Sequence, residues 1–275
     1  MDKLRFGPAG IPHSTPESGI IAACNQVKEL NLECMELEFV RNVYLTEKTA
    51  KELGVVAKKN NIILTSHASY YVNLSSAEKD KIEASKDRII KAAQMAWLAG
   101  GYSVTFHAGY YQKEDHAKVY DKIGKEIKEI VKRLKDKGNN IWIRPETTGK
   151  ASQFGNLKEI LELSKDIDQV MPCVDFSHLH ARSAGKENTL AEFKNTLEQI
   201  EKHLGKEGLN NMHIHVSGIE YGQKGERNHV NLKESDLNYK DLVKAWKEFK
   251  IKGCVISESP NLEEDALLMK KIYNS

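Results

Sequence analysis

The sequence predicts a single-domain α/β chain spanning 1–275 and folded as a (β/α)8 barrel, with a metal site at the C-terminal ends of the strands. Three observations predict it. Short β-like runs alternate with longer amphipathic segments along all 275 residues. The alternation repeats eight times, at about 34 residues per unit, and a barrel of about 250 residues is built from such units. No Gly/Ser/Pro-rich linker and no break in composition divides the chain. Strands separated by helices of this size pair in parallel through right-handed crossovers. Eight of them close on themselves, whereas five or six favour an open sheet. Neither GxGxxG nor GxxxxGK[ST] follows the first strand, so nucleotide-fold signatures are absent.

The elements follow in order. Strand one is 4–9. A helix over 16–30 comes next, with Thr15 as N-cap and Pro16 in the first helical position, where its missing N–H costs nothing. Strand two is 33–39, and a helix covers 47–59. Strand three is 62–66. Ser75-Ser76-Ala77-Glu78 reads as a capping box opening a long helix, which Gly100-Gly101 closes. Strand four is 102–106, followed by a helix over 113–137 that ends at Gly138. Strand five is 140–144 and its helix 157–165. Strand six is 169–174, where Pro172 implies a local irregularity because proline cannot donate to a ladder. A helix over 190–204, strand seven at 212–216, a helix over 239–249 and strand eight at 254–257 complete the pattern. The last helix starts near 263, with Asn261 as its cap.

Composition removes several classes of function. Lys and Arg number 41 and Asp and Glu 39, a net charge of +2, so the chain is not a general polycation, although a local basic stripe remains open. With 40% hydrophobic and 29% charged residues it is a globular chain rather than a disordered one. No apolar run approaches the ~18–20 residues that span a bilayer. The opening MDKLRFG lacks the apolar core of a signal peptide, so the cytosol is the expected address, with no membrane contact and a monomer as the simplest state. The four cysteines are scattered and form no CxxC pair, which fits ordinary buried thiols.

In a barrel of this kind, chemistry sits where the strands end. His67 follows strand three, His107 strand four, Glu146 strand five, and Asp175 and His178 strand six. Strand seven carries His213 and His215, the loop after it Glu226 and His229, and strand eight is followed by Glu258. A single rim histidine or carboxylate is usually just a hydrogen-bonded polar residue. Six successive strands that each deliver one to the same rim form a ligand set of the kind that holds Zn²⁺, Mn²⁺ or Fe²⁺. So many recessed carboxylates would otherwise be costly to desolvate. About nine candidates suit two or three ions, and clustered ions suit displacement at a phosphodiester. Glu36 and Glu38 lie on strand two, one of them facing inward, with no ligand partner evident.

The segments SHASYYVNL (66–74), FHAG (106–109), PETTG (145–149), VDFSH (174–178), MHIH (212–215) and SESP (257–260) resemble the motifs of endonuclease IV. That family comprises metal-dependent apurinic/apyrimidinic (AP) endonucleases of base-excision repair, and the wording around the motifs is similar to an archaeal branch. The likeness runs over about residues 4–270. It implies that His67, His107 and Glu146 hold one zinc, that Glu146 bridges to a second completed by Asp175, His213 and Glu258, and that His178 belongs to a third. Glu146 and Glu258 become the candidate catalytic residues. The family's Asp-Arg-His stretch reads Glu226-Arg227-Asn228-His229 here: Glu226 replaces the Asp, and Asn228 stands where the His should be. His229 is the substitute ligand this implies, and a two-metal centre stays open beside a three-metal one. The implied reaction is hydrolysis of double-stranded DNA 5′ to an abasic site, leaving a 3′-hydroxyl, by a hydroxide held between the ions. Tyr70 and Arg41 match the side chains such enzymes insert into the duplex, and His215 and Arg227 are further expected DNA contacts. Sugar isomerases and epimerases of the xylose-isomerase-like barrels are the alternative, since they resemble the layout and need about four ligands. A barrel that only binds damaged DNA is the third reading.

Overall fold

The apolar runs of the chain become short strands whose side chains alternate between the barrel interior and the surrounding helices. The computed structural model describes residues 1–275. Its elements run β1 (Leu4–Pro8), α1 (Ile20–Glu29), β2 (Cys34–Glu38), α2 (Glu47–Asn60), β3 (Ile63–His67), α3 (Lys79–Leu98), β4 (Ser103–Phe106), α4 (His116–Lys135), β5 (Trp142–Pro145), α5 (Leu157–Asp166), β6 (Cys173–Asp175), α6 (Phe176–Arg182), α7 (Leu190–Asn210), β7 (Met212–Val216), β8 (Gly218–Gly222), β9 (Gly225–Val230), α8 (Tyr239–Phe249), β10 (Gly253–Ser257) and α9 (Glu263–Asn274). Eight of the strands form the barrel, all pairing in parallel, in two four-stranded arcs ordered β1-β10-β7-β6 and β2-β3-β4-β5. Single bridges close the two seams, Ala9 with Glu36 on one side and Ile143 with Val170 and Glu146 with Cys173 on the other. No helix is long and apolar enough to cross a membrane.

The seam between β5 and β6 is thin for a reason visible in the chain. Pro172 offers no N–H, so the strand expected over 169–174 shrinks to Cys173–Asp175. The carbonyl of Pro172 is used instead: it accepts from Arg144 Nη1 at 2.7 Å. Arg144 is completely buried and also donates to the Asn211 carbonyl and side-chain oxygen at 2.9 and 2.7 Å. Its partners lie just before β6 and β7, so the guanidinium plugs the N-terminal end of the barrel. Glu146, two residues on and pointing the same way by strand alternation, is left for the opposite rim.

Several expected boundaries move. α1 begins at Ile20 after Gly19, whose φ of 114° favours glycine, so Thr15 and Pro16 stand outside the helix. The Ser75–Glu78 segment is not a capping box: α3 starts at Lys79 with Glu78 at the cap, and Ser76 accepts from the Glu78 N–H in a local turn. At α9 the cap is Leu262 rather than Asn261. Two elements were not expected, the short α6 and the β8–β9 hairpin in place of a plain loop after β7.

Helix faces carry the expected spacing. In α4, Val119, Ile123, Ile127, Ile130 and Leu134 are buried on one stripe, and Asp115 caps the first turn by accepting from the Ala117 and Lys118 N–H groups. One apolar cluster of 64 buried residues runs between barrel and helices. Between α3 and α4 the ammonium of Lys86, itself buried, sits 2.6, 2.9 and 2.8 Å from Glu83, Glu126 and Glu129, so that acidic cluster already holds its cation. Trp246 of α8 is fully buried against Phe6 and Phe176, with ring centroids 6.4 and 6.0 Å away. Trp246→Ala is expected to lower stability by about 3–5 kcal/mol through the cavity it leaves, read as a shifted midpoint in denaturant unfolding.

Candidate metal centre

At the carboxyl ends of the strands, nine side chains from seven segments converge in three contiguous sets. The ligand atoms within each set lie within 4.8 Å of one another. The first is His67, His107 and Glu146. The second is Glu146, Asp175, His215 and Glu258. The third is His178, Glu226 and His229. Glu146 joins them: its oxygens lie 3.3 Å from His67 Nε2, 3.4 Å from His107 Nε2, 3.4 Å from His215 Nδ1 and 3.2 Å from His178 Nδ1.

Local backbone aims these groups. His67 Nδ1 lies 2.6 Å from the Ala68 carbonyl, an acceptor only, so Nδ1 carries a proton there and Nε2 is turned toward Glu146. His178 Nδ1 is fixed in the same way by the Thr147 carbonyl at 2.9 Å, which turns Nε2 toward Glu226 Oε2 at 3.6 Å. Asp175 ends β6 and caps α6 by accepting from the His178 N–H at 2.7 Å, so one strand-to-helix turn places two site residues. Arg182 holds the loop after β5 through the Thr148, Lys150 and Gln153 carbonyls, which removes it from the free rim cations.

The third set answers the question raised by Asn228. In the β8–β9 hairpin Tyr221 pairs with Glu226 and Glu220 with Asn228, with the register shifting between them. Arg227 is therefore the extra residue of a bulge. A bulge resets alternation by one position, so Glu226 and His229 share the face toward His178, while Asn228 turns away to donate to Glu220 at 3.3 Å. Gly149 and Gly225 let the hairpin lie down on the β5 loop. A Cβ on Gly149 would stand 2.7 Å from Glu226 Cβ, and one on Gly225 (φ 94°) 2.1 Å from the Gly149 carbonyl oxygen.

Strand seven contributes a different imidazole from the one expected. The register sets His215 beside Asp175 and His213 beside Cys173. At about 3.3 Å per residue, His213 lies about 6.6 Å deeper. His213 is thus outside the three sets that meet at the rim. It stands 3.0 Å from Glu36 Oε2 and, through Nδ1, 3.0 Å from Ser103 Oγ. His215, expected to touch DNA, is instead buried inside the cage. Glu36 and Glu38 both face inward, as period-two alternation requires; Glu36 is completely buried under the centre, and Glu38 lies beside His67 across the β2–β3 register. The inward acid at Glu36 was readable from the pattern Cys34, Glu36, Glu38, but its partners on β7 were not.

Tyr70 stands on the exposed rim, its hydroxyl 3.1 Å from that of Tyr71, and Arg41 is exposed just past β2. Arg227 folds back across the hairpin, against Gly222.

The electrostatics describe a cage short of positive charge. Burial would raise the Glu146 carboxyl, but His107, His215 and His178 around it outweigh burial and hold it well below the usual range. Burial pushes Asp175 up to about 6, with His178 opposing. Burial opposes a proton on His67, yet Glu146 beside it carries the imidazole up to about 10. His178 and His215 move upward against burial in the same sense, Asp175 acting on the first and Cys173, Glu258 and Glu36 on the second. Burial lowers His213 to about 4 despite Glu36, so that ring is neutral. Protons on imidazoles here do what a cation would do. Both Glu146 oxygens, Asp175 Oδ2 and His215 Nδ1 are buried without a hydrogen-bond partner. Such atoms are costly unless something else coordinates them. An N/O set with orphaned lone pairs facing a common centre fits divalent transition ions.

Relatives share this architecture. An uncharacterized protein of Methanocaldococcus jannaschii is 45% identical over 98% of this chain and 97% of its own length. The probable endonuclease 4 of Mycoplasma genitalium is 23% identical over 72% of this chain and 67% of its own. Among solved structures, endonuclease IV from Thermus thermophilus superposes with a TM-score of 0.73 at 18% identity, covering 98% of this chain and 97% of that one. A D-tagatose 3-epimerase-like protein superposes at 0.72 and 23% identity, covering 98% and 96%. Fold likeness therefore does not choose between a nuclease and a sugar enzyme. The model of the xylose isomerase-like TIM barrel family matches residues 24–272, and with that span, these strands and this rim the chain belongs to that family.

Proposed function

We propose that this protein is a metal-dependent AP endonuclease that hydrolyses double-stranded DNA 5′ to an abasic site and leaves a 3′-hydroxyl. The observation that carries this reading is that one carboxylate, Glu146, belongs to two ligand sets and lies 3.2 Å from His178 of the third. A barrel that moves hydrogen on a small sugar is served by the four-residue set alone. The His67–His107 pair and the His178–Glu226–His229 set are surplus to that chemistry. Flanking the central set on two sides, they suit a phosphate diester, whose attacking and leaving oxygens both need stabilisation. The sequence likeness to a probable endonuclease 4 supports the same choice.

His67, His107 and Glu146 would hold one divalent ion, Glu146, Asp175, His215 and Glu258 a second, and His178, Glu226 and His229 a third. Zinc suits the donors best, and Mn²⁺ or Fe²⁺ fit the same set. Bound there, the ions would supply Lewis acidity, acidifying water and offsetting charge on the phosphate. The chain's own residues do the rest. Glu146, with no hydrogen-bond donor of its own, spends both oxygens on the centre. Glu258 borders it at 3.3 Å from His215 Nδ1 and stays ionised against burial because of that imidazole. Tyr70 and Arg41, exposed at the rim, are the side chains we assign to fill the gap left when an abasic nucleotide turns out of the stack. A monomer supplies every one of these groups.

A sugar epimerase is the second reading. It is favoured by the self-sufficiency of the Glu146–Asp175–His215–Glu258 set and by the near-neutral net charge of +2.

Purified protein mixed with a duplex bearing one abasic analogue is expected to incise 5′ to the lesion, and EDTA or phenanthroline to stop it. An untouched duplex alongside turnover of a ketose would select the epimerase. Glu146→Gln is expected to cut incision on the order of 10³-fold, because a metal contributes several kcal/mol of charge stabilisation. Wild-type-like turnover by that variant would contradict the shared-carboxylate reading. Glu226→Ala should lower the zinc count by one ion per chain in elemental analysis and leave the Glu146-centred ions bound; an unchanged count would separate the hairpin from the centre.

A further inference from the structure

Below the rim lies a carboxylate that no role above uses. Glu36 is completely buried on β2, and neither oxygen has a well-aligned hydrogen-bond donor. Its Oε1 is 2.8 Å from His215 Nε2, and its Oε2 is 3.0 Å from His213 Nε2. On the far side of the His215 ring, Nδ1 lies 3.4 Å from Glu146 Oε1 and 3.3 Å from Glu258 Oε1 and is likewise unpartnered. An ionised carboxylate only accepts. Placed against Nε2, it draws the single proton of a neutral imidazole to that nitrogen and leaves the Nδ1 lone pair aimed at the centre.

We propose that Glu36 is a positioning residue that sets His215 with Nδ1 as its donor atom toward an ion held with Glu146, Asp175 and Glu258. His213, braced by Ser103 Oγ at 3.0 Å, occupies the second carboxylate oxygen and keeps Glu36 from swinging away. A carboxylate behind a ligating imidazole fixes ring orientation and raises ligand basicity. This inference rests on the metal-holding reading of the centre and is independent of which substrate that centre acts on.

The test compares full-length wild type with Glu36→Gln, both freed of metal and then titrated with zinc against a competing chelator. Occupancy of each position is read by anomalous diffraction. In the variant, affinity at the four-residue position should fall about 10–100-fold, with the His67–His107 position still filled. Equal affinity at the four-residue position in both proteins overturns the proposal. Wild type that takes up no zinc there overturns it together with the metal reading beneath it. Normal zinc uptake without incision of abasic DNA would sink only the nuclease assignment. Should the variant fail to fold, ¹⁵N spectra of His215 in zinc-loaded wild type decide: a proton on Nε2 and a metal-bound Nδ1 are expected, and a proton on Nδ1 overturns the role of Glu36.

Discussion

The rim of this barrel is governed by the cost of keeping carboxylates out of water. Glu146, Asp175 and Glu36 are completely or almost completely buried, and most of their oxygens find no hydrogen-bond donor. A buried charge without a partner is among the most expensive features a fold can carry. Here the only counter-charges are imidazoles, and several of them are driven toward the protonated state by the acids they face. Divalent ions would satisfy the same arrangement, in which nitrogen and oxygen donors point at one another across 3.2–3.4 Å instead of forming well-aligned hydrogen bonds.

Two geometric devices make that concentration of charge possible. The first is strand periodicity. Arg144 and Glu146 lie two apart on the chain and face the same way, one sealing the barrel's N-terminal end with carbonyl partners and the other forming the centre of the rim. His213 and His215 repeat this on β7, the deeper ring staying neutral beneath and the upper ring entering the cage. The second device is the bulged hairpin, which re-aims two candidate ligands after the barrel strand has ended. Bulges are frequent near functional sites because they redirect side chains without breaking the fold. Gly149 and Gly225 supply the close backbone approach that a side chain on either residue would forbid.

The fold is common to proteins that cleave DNA and proteins that rearrange sugars, so the distinction has to come from the site. The four residues Glu146, Asp175, His215 and Glu258 would suffice for one ion. What separates this rim from a single-ion barrel is the addition of two flanking sets, one from the ends of β3 and β4 and one shared between α6 and the hairpin.

The amino-acid order alone determined the barrel, the strands that end in His, Asp or Glu, and most of the candidate ligands. Eight β-then-α repeats and a polar donor after strands three to eight are local features, and local features are what periodicity reads. It also supplied Glu226 and His229, although not whether His229, one place beyond Asn228, could reach the site. Tertiary structure decided the rest. Whether His213 or His215 enters the cage depends on pairing register with β6, which neither residue encodes, because both face inward with the same period. The rescue of the third set depends on a bulge that appears only once the hairpin is paired and laid on Gly149. Glu36 looked partnerless because its partners lie on β7, brought alongside only by closure of the barrel. The start of α3 moved for a similar reason: Ser75 has capping chemistry, but its hydroxyl is spent on the Tyr110 carbonyl, 35 residues away along the chain and close only in the folded rim.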